Sequence, residues 1–269
     1  MARSVALLAA ALLALPSPAR AAGADRLYVL DCGWSRLFDA SRLSPGAKPG
    51  ESLDLSNSCF LVRDGGRWLL WDTGYPDALA ASVGGERSAD GLLERHRPKT
   101  LVAQLAEIGL KPSDVGLVAI SHTHPDHVGD VDLFPAATVL IQRPEYDWAF
   151  AQKAPPFSAS HPVRKLDGDL DVFGDGSVVL LSTPGHTPGH QSLLVRLPRT
   201  GTIVLSGDVV HTAANWEGRR VPARNVDAAQ SKASMDRIAA LLAERHAMLW
   251  INHDRAQTEG LRHAPAFYE

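Results

Sequence analysis

Four side chains able to hold a metal ion fall within six residues of the stretch Ser121-His122-Thr123-His124-Pro125-Asp126-His127. The stretch follows an apolar run, residues 116–120, that reads as a strand. In an extended segment residues two apart point the same way, so His122 and His124 can grip one ion together. Pro125 helps turn the chain, which lets Asp126 and His127 face a neighbouring position. Neutral imidazole suits zinc and other first-row metals, and a carboxylate adds a harder oxygen ligand. Further donors stand at the ends of later strand-like runs. Residues 177–181 lead into a glycine- and proline-rich loop, 182–191, that can present His186 from its tip. His190 already begins the next strand and is expected to hydrogen-bond within the scaffold. Residues 202–205 end in Ser206-Gly207-Asp208, and 248–251 end in Asn252-His253-Asp254. Asp208 alone would be a routine turn residue and His253 a routine polar cap. With the other five they complete two ligand sets.

The elements that must carry these donors are short. Runs rich in Val, Ile and Leu recur at 26–30, 58–63, 68–71, 116–120, 138–142, 177–181, 191–197, 202–205 and 248–251, mostly bounded by Gly, Pro, Asp or Ser. Arg63-Asp64-Gly65-Gly66-Arg67 reads as a hairpin turn between two of them. Helical spacing shows in Leu101, Leu105 and Ile108, and again in Met235, Ile238, Leu241 and Leu242 behind Asp227. Hairpins early, with isolated helices between strands, make one compact α+β or α/β domain the simplest account. Residues 75–98 are the least regular; they can form a loop near a substrate site or a solvated excursion.

Composition narrows the partners. Of 269 residues, 45% are hydrophobic and 21% charged, which is ordinary for a globular domain. Lys plus Arg number 27 against 30 for Asp plus Glu, a formal charge of -3 with no basic run, so nucleic acid is a poor partner. Residues 1–22 have the parts of a secretory signal: Arg3, an apolar run over 5–15, and an Ala19-Arg20-Ala21 end. The apolar run falls short of the roughly 20 residues a spanning helix needs. Export to the periplasm or beyond is therefore expected, with residues 23–269 as the mature domain and no membrane association after cleavage. Oligomeric state, including a homodimer, is left open. An oxidising compartment permits a disulfide between the only cysteines, Cys32 and Cys59. The expectation, however, is two buried thiols, since cysteine packs well as a small hydrophobe. No Cys-x-x-Cys pair exists, which excludes a thiolate zinc knuckle. No Gly-x-Ser-x-Gly elbow supports a serine nucleophile.

The run His122-x-His124-x-Asp126-His127, followed by separate His186, Asp208 and His253, resembles the signature of the metallo-β-lactamase superfamily. The likeness spans nearly all of the mature chain and includes Asp72-Thr73-Gly74, whose aspartate in that family stands behind the ligands. Residues 183–195, the opening Leu27-Tyr28-Val29-Leu30-Asp31-Cys32-Gly33 and the length are most similar to the N-acyl homoserine lactonases. The resemblance implies an αββα four-layer sandwich with two divalent metal ions, zinc foremost, at one edge of two sheets. By position, His122, His124 and His186 would hold one ion, Asp126, His127 and His253 the other, and Asp208 would bridge. A hydroxide shared by the ions would open a lactone, with Asp126 passing a proton to the leaving alkoxide. In such lactonases a tyrosine often follows the bridging aspartate by three residues; here that position is His211. Either His211 hydrogen-bonds the substrate in its place, or it is a solvent-facing histidine at a strand end. Asp208 argues against the β-lactamases of this fold, and His124 against its flavo-di-iron members. Thioesterases of the glyoxalase II type and organophosphate or phosphodiester hydrolases keep the full ligand set.

Overall fold

The computed structural model describes residues 23–269; the segment 1–22 read as a signal peptide lies outside them. Strands β1 (Ala24–Leu37), β2 (Leu53–Asp64), β3 (Arg67–Trp71), β4 (Glu86–Arg87), β5 (Leu93–His96), β6 (Leu117–Ala119), β7 (Thr138–Gln142) and β8 (Val163–Leu166) form one sheet in the order β4-β5-β1-β2-β3-β6-β7-β8. A second sheet, β13-β12-β11-β10-β9, is built from β9 (Leu170–Asp171), β10 (Val178–Ser182), β11 (Gln191–Leu197), β12 (Gly201–Leu205) and β13 (Met248–Trp250). The helices are α1 (Leu101–Glu107), α2 (Arg143–Phe150), α3 (Ala213–Glu217), α4 (Ala228–Arg245) and α5 (Arg255–Glu259).

Alternating side chains explain the layering. Leu27 and Val29 face Leu193, Val195 and Ile203 of the second sheet in a core between the sheets. Their neighbours Tyr28 and Leu30 point the other way, into a cluster with Leu101 and Leu105 of α1. On the outer face of the second sheet, Leu181, Leu194 and Val204 pack on Met235 and Ile238 of α4. Both faces of each sheet are thus covered, giving helix, sheet, sheet, helix. Double burial is why these strands read as continuous apolar runs rather than apolar/polar alternation.

All nine strand runs and both helical runs seen in the sequence are present. Gly65 and Gly66 close the β2–β3 hairpin with φ of 54° and 93°, the two positive values that a tight turn of the type I′ kind requires. The short β4, β5, β8 and β9, and helices α2, α3 and α5, carry too few residues to show a period. Residues 75–98 share both readings: they supply β4 and β5, with β5 pairing Arg95 to Ser35 and Leu93 to Leu37 of β1, while most of 81–91, β4 included, is exposed to solvent.

The two cysteines are a correction to the sequence reading. Cys32 and Cys59 are joined in a disulfide that staples β1 to β2 across a separation of 27 residues. Burial alone favoured free thiols, but antiparallel pairing of Leu30 with Cys59 and Asp31 with Ser58 brings the two side chains together. Closing a loop of that length should stabilise the chain by about 3.5 kcal/mol. Cys59→Ser, or dithiothreitol, is expected to lower the urea midpoint accordingly; an unchanged midpoint would count against the bond.

Candidate metal centre

The ligand candidates converge at one edge of the two sheets. His122, His124, Asp126 and His127 lie in the loop after β6, and the backbone N–H of His127 donates to the carbonyl of His124 at 3.0 Å, the turn that Pro125 was expected to help make. His186 comes from the β10–β11 loop, Asp208 from the loop after β12, and His253 from the loop after β13. Gly185 lets that first loop sit against α4: a Cβ there would stand 2.2 Å from the backbone nitrogen of Ser231. Its φ of 134° also lies outside what other residues adopt readily.

Two groups of donor atoms result, His122 with His124, His186 and Asp208, and Asp126 with His127 and His253, each within 4.8 Å internally. Asp208 reaches both. Its Oδ2 lies 3.3 Å from Nε2 of His186 and 3.7 Å from Nε2 of His122, while Oδ1 lies 3.4 Å from Nε2 of His127 and 3.1 Å from Nε2 of His253. One oxygen therefore faces each set, the disposition needed of a bridging carboxylate.

Partners behind the imidazoles fix which nitrogen points inward. Nδ1 of His127 donates to Asp72 at 2.8 Å, Nδ1 of His186 to Oδ1 of Asn225 at 3.0 Å, and Nδ1 of His253 to the carbonyl of Ser56 at 2.7 Å. With the proton on Nδ1, each Nε2 presents its lone pair to the centre. Asp72 also accepts from the backbone N–H and the hydroxyl of Ser121, at 2.7 and 2.8 Å. His190 keeps to the scaffold: Nδ1 donates to the carbonyl of Thr183, Nε2 accepts from the backbone N–H of Asp208, and burial draws its pKa down to about 4. Glu145, at the start of α2 and fully buried, accepts from Thr123 and from the backbone N–H of Gly189. It thereby ties the His122–His127 loop to the His186 loop. Sequence reading missed Glu145 and Asn225, since neither belongs to a motif and each meets its partners only through the fold.

The electrostatics suit cations. Burial, reinforced by the neighbouring His127 charge, holds His122 well below the ordinary histidine range, and burial does the same to His186, so both keep free lone pairs. Burial works against a charge on His127, yet Asp208 and Asp72 outweigh it and lift its pKa to about 10, so the carboxylates that draw a proton to Nε2 would draw a metal ion in its place. Nε2 of His127 and Oδ1 of Asp208 are buried without a hydrogen-bond partner, in the middle of the cluster. Buried polar atoms are normally satisfied; these two are satisfied if each ligates a metal. The donor set therefore fits a two-metal centre.

His211 is 4% exposed, which rules out the solvent-facing alternative. Its Nε2 lies 3.2 Å from Oδ2 of Asp208, and its ring stacks on His253 with centroids 5.7 Å apart. Together with Asp126 and Tyr75 it lines a cavity of about 320 Å³ that opens onto the centre. Burial pushes the Tyr75 phenol up, so this wall residue stays a neutral donor.

Comparison with known proteins now decides the family. Residues 53–246 match the model of the metallo-β-lactamase superfamily. The chain belongs to that superfamily. It is 30% identical over 249 residues to an N-acyl homoserine lactonase from a Bacillus species, covering 90% of this chain and 98% of the relative. It is 32% identical over 183 residues to the N-acyl homoserine lactonase AttM of Azorhizobium caulinodans, covering 62% of this chain and 69% of that one. Among solved structures, an N-acyl homoserine lactone hydrolase with N-hexanoyl-L-homoserine at its catalytic metal centre superposes with a TM-score of 0.82 at 27% identity, over 91% of this chain and 100% of the other. A metallo-β-lactamase-superfamily chain with this donor set is a metal-dependent hydrolase, and the expected αββα architecture is the one observed.

Proposed function

We propose that this metallohydrolase opens lactone rings, N-acyl homoserine lactones foremost, and so quenches signalling by such molecules. The observation that carries the reading is Asp208, which turns one oxygen to each of two imidazole-rich ligand sets beside a cavity of about 320 Å³. Likeness to lactonases along 90% of the chain supports the substrate class. We assign His122, His124 and His186 to one ion, Asp126, His127 and His253 to the other, and Asp208 to both, with zinc as the metal that an imidazole and carboxylate set prefers. Two such ions, when bound, would supply activated water and charge stabilisation on the oxygens of a carboxylic ester.

The protein's own groups do the rest. The cavity wall would position the scissile carbonyl beside the centre. Asp126, 25% exposed on its side chain and facing the cavity, is placed to carry a proton on its carboxylate to the leaving oxygen. His211, wedged between Asp208 and the cavity, offers an N–H to the substrate where related lactonases present a tyrosine.

A pH-stat panel of acyl homoserine lactones, simple lactones, thioesters and phosphotriesters tests the reading. Lactones should have the highest kcat/KM; turnover of a phosphotriester or thioester at or above the lactone rate would replace the substrate assignment. Within that panel His211→Phe should lose roughly tenfold in kcat/KM on the preferred lactone, about 1.4 kcal/mol of transition-state binding. No loss would remove His211 from the substrate site. We also propose that residues 1–22 direct export and are removed; N-terminal sequencing of protein from the native host should begin near Ala22 or Gly23, and an intact Met1 on cytosolic protein would reverse this.

A further inference from the structure

The far wall of the cavity is cationic, and nothing in the hydrolytic centre uses that charge. Paired residues and residues two apart share a face of a sheet. The pairing of Ser35 with both Arg95 and Leu55, and of Leu37 with Leu93, thus turns these side chains toward one space. All of them line the cavity, and Arg42 and Arg224 line it as well. The acids on that lining are Asp126 and Asp208, engaged at the centre, and Asp90, which already accepts from the Ser88 hydroxyl at 2.6 Å and from the backbone N–H of Leu92 at 3.1 Å.

Of the three arginines only Arg95 has a nitrogen, Nε, buried without a hydrogen-bond partner, while Arg42 pairs with Asp39 at 3.8 Å. The ion pair of Arg95 with Glu86 is long, 3.8 Å, to a carboxylate half exposed to solvent. The Arg95 guanidinium stands 6.0 Å from the centroid of the Tyr75 ring, and both side chains line the cavity that Asp126 and Asp208 also line. A purely aliphatic tail laid across this wall would take water from a guanidinium and return no acceptor, which is costly. An oxyanion would fill the open N–H positions of a planar fork built to receive one. Leu37, Leu55 and Leu93 line the same cavity beside Arg95 and offer apolar surface to a short spacer.

We infer that the preferred substrate carries, beyond a short apolar spacer from its scissile carbonyl, an oxyanionic group that is held by Arg95 with Arg42 and Arg224 around it. This rests on the proposed lactonase reading for the identity of the bond that is cleaved, and not for the recognition of the tail.

The test uses the metal-loaded enzyme and matched substrates that differ only at the tail: methyl-ended, carboxylate-ended and sulfonate-ended, each made as lactone, aryl ester and thioester. The carboxylate tail should raise kcat/KM at least about tenfold over the methyl tail, chiefly through KM, as expected of binding energy shared by ground and transition states. The advantage should shrink as salt rises from about 50 to 500 mM. In Arg95→Gln and in Arg224→Gln, a change on an exposed loop that puts the fold at no risk, the ratio of charged to neutral tail should fall toward one. Calorimetric titration of the same tails should order their Kd values the same way. A sulfonate tail as good as the carboxylate identifies a general oxyanion site, and a carboxylate advantage alone identifies a planar one; either supports the inference. A methyl tail as good as or better than both, or a preference untouched by both substitutions, overturns it. Lactones turned over with no tail preference would sink this inference and leave the lactonase reading intact. Tail preference on esters or thioesters without lactone turnover would do the reverse.

Discussion

Replacing Asp208 by Ala should cut kcat/KM by on the order of 10³ and reduce bound metal from about two ions per chain to one or fewer. Loss of a group that merely orients a ligand typically costs 10–100-fold in affinity or activity. Asp208 should exceed that because its two oxygens serve both sets, lying 3.3 Å from His186 on one side and 3.1 Å from His253 on the other. Without it the positive charge that the two ligand sets would hold is less compensated. Elemental analysis of protein purified without chelator, beside kinetics on the best lactone, measures both effects. Two tightly held ions and activity within tenfold of the parent would refute the bridging role.

Asp72→Asn is expected to weaken one ion by about 10–100-fold while leaving the other in place. The substitution keeps volume, and asparagine tolerates the left-handed backbone that Asp72 adopts, with φ of 55°, so the charge is changed without a change of shape. The carboxylate accepts three hydrogen bonds, from the Ser121 N–H, the Ser121 hydroxyl and Nδ1 of His127. An amide has one acceptor oxygen, so one N–H donor is left facing an NH₂. If His127 answers by moving its proton to Nε2, the lone pair that faces the centre is lost. Titration of metal-depleted protein in competition with a chromogenic chelator should resolve one weakened and one unchanged site. Equal affinity in parent and variant would show that Asp72 does not set the His127 tautomer.

The candidate ligands were legible in the sequence because metal binding constrains both side-chain type and local spacing. His122, His124, Asp126 and His127 crowd into one loop, and His186, Asp208 and His253 each follow a strand-like run. Doubly buried strands were legible for a related reason: residues 58–63 and 191–197 must be apolar on both faces, and the composition of those runs declares it. Resemblance then supplied the division into two sets. What stayed hidden depends on partners far away in the chain. The carbonyl of Ser56 that fixes His253 is 197 residues from it, and Asn225 is 39 residues from the His186 it orients. Neither carries a local signal, since any backbone carbonyl or surface asparagine looks the same in sequence. The extension of β1 beyond Leu30 and of β2 before Ser58 was invisible because those stretches mix polar and apolar residues; strand pairing holds them. The disulfide between Cys32 and Cys59 followed from register, not composition. Local chemistry thus specified which atoms could meet a metal, while tertiary pairing decided which nitrogen of His127, His186 and His253 points inward. It also decided which side chains line the cavity, because cross-strand neighbours are chosen by the whole sheet.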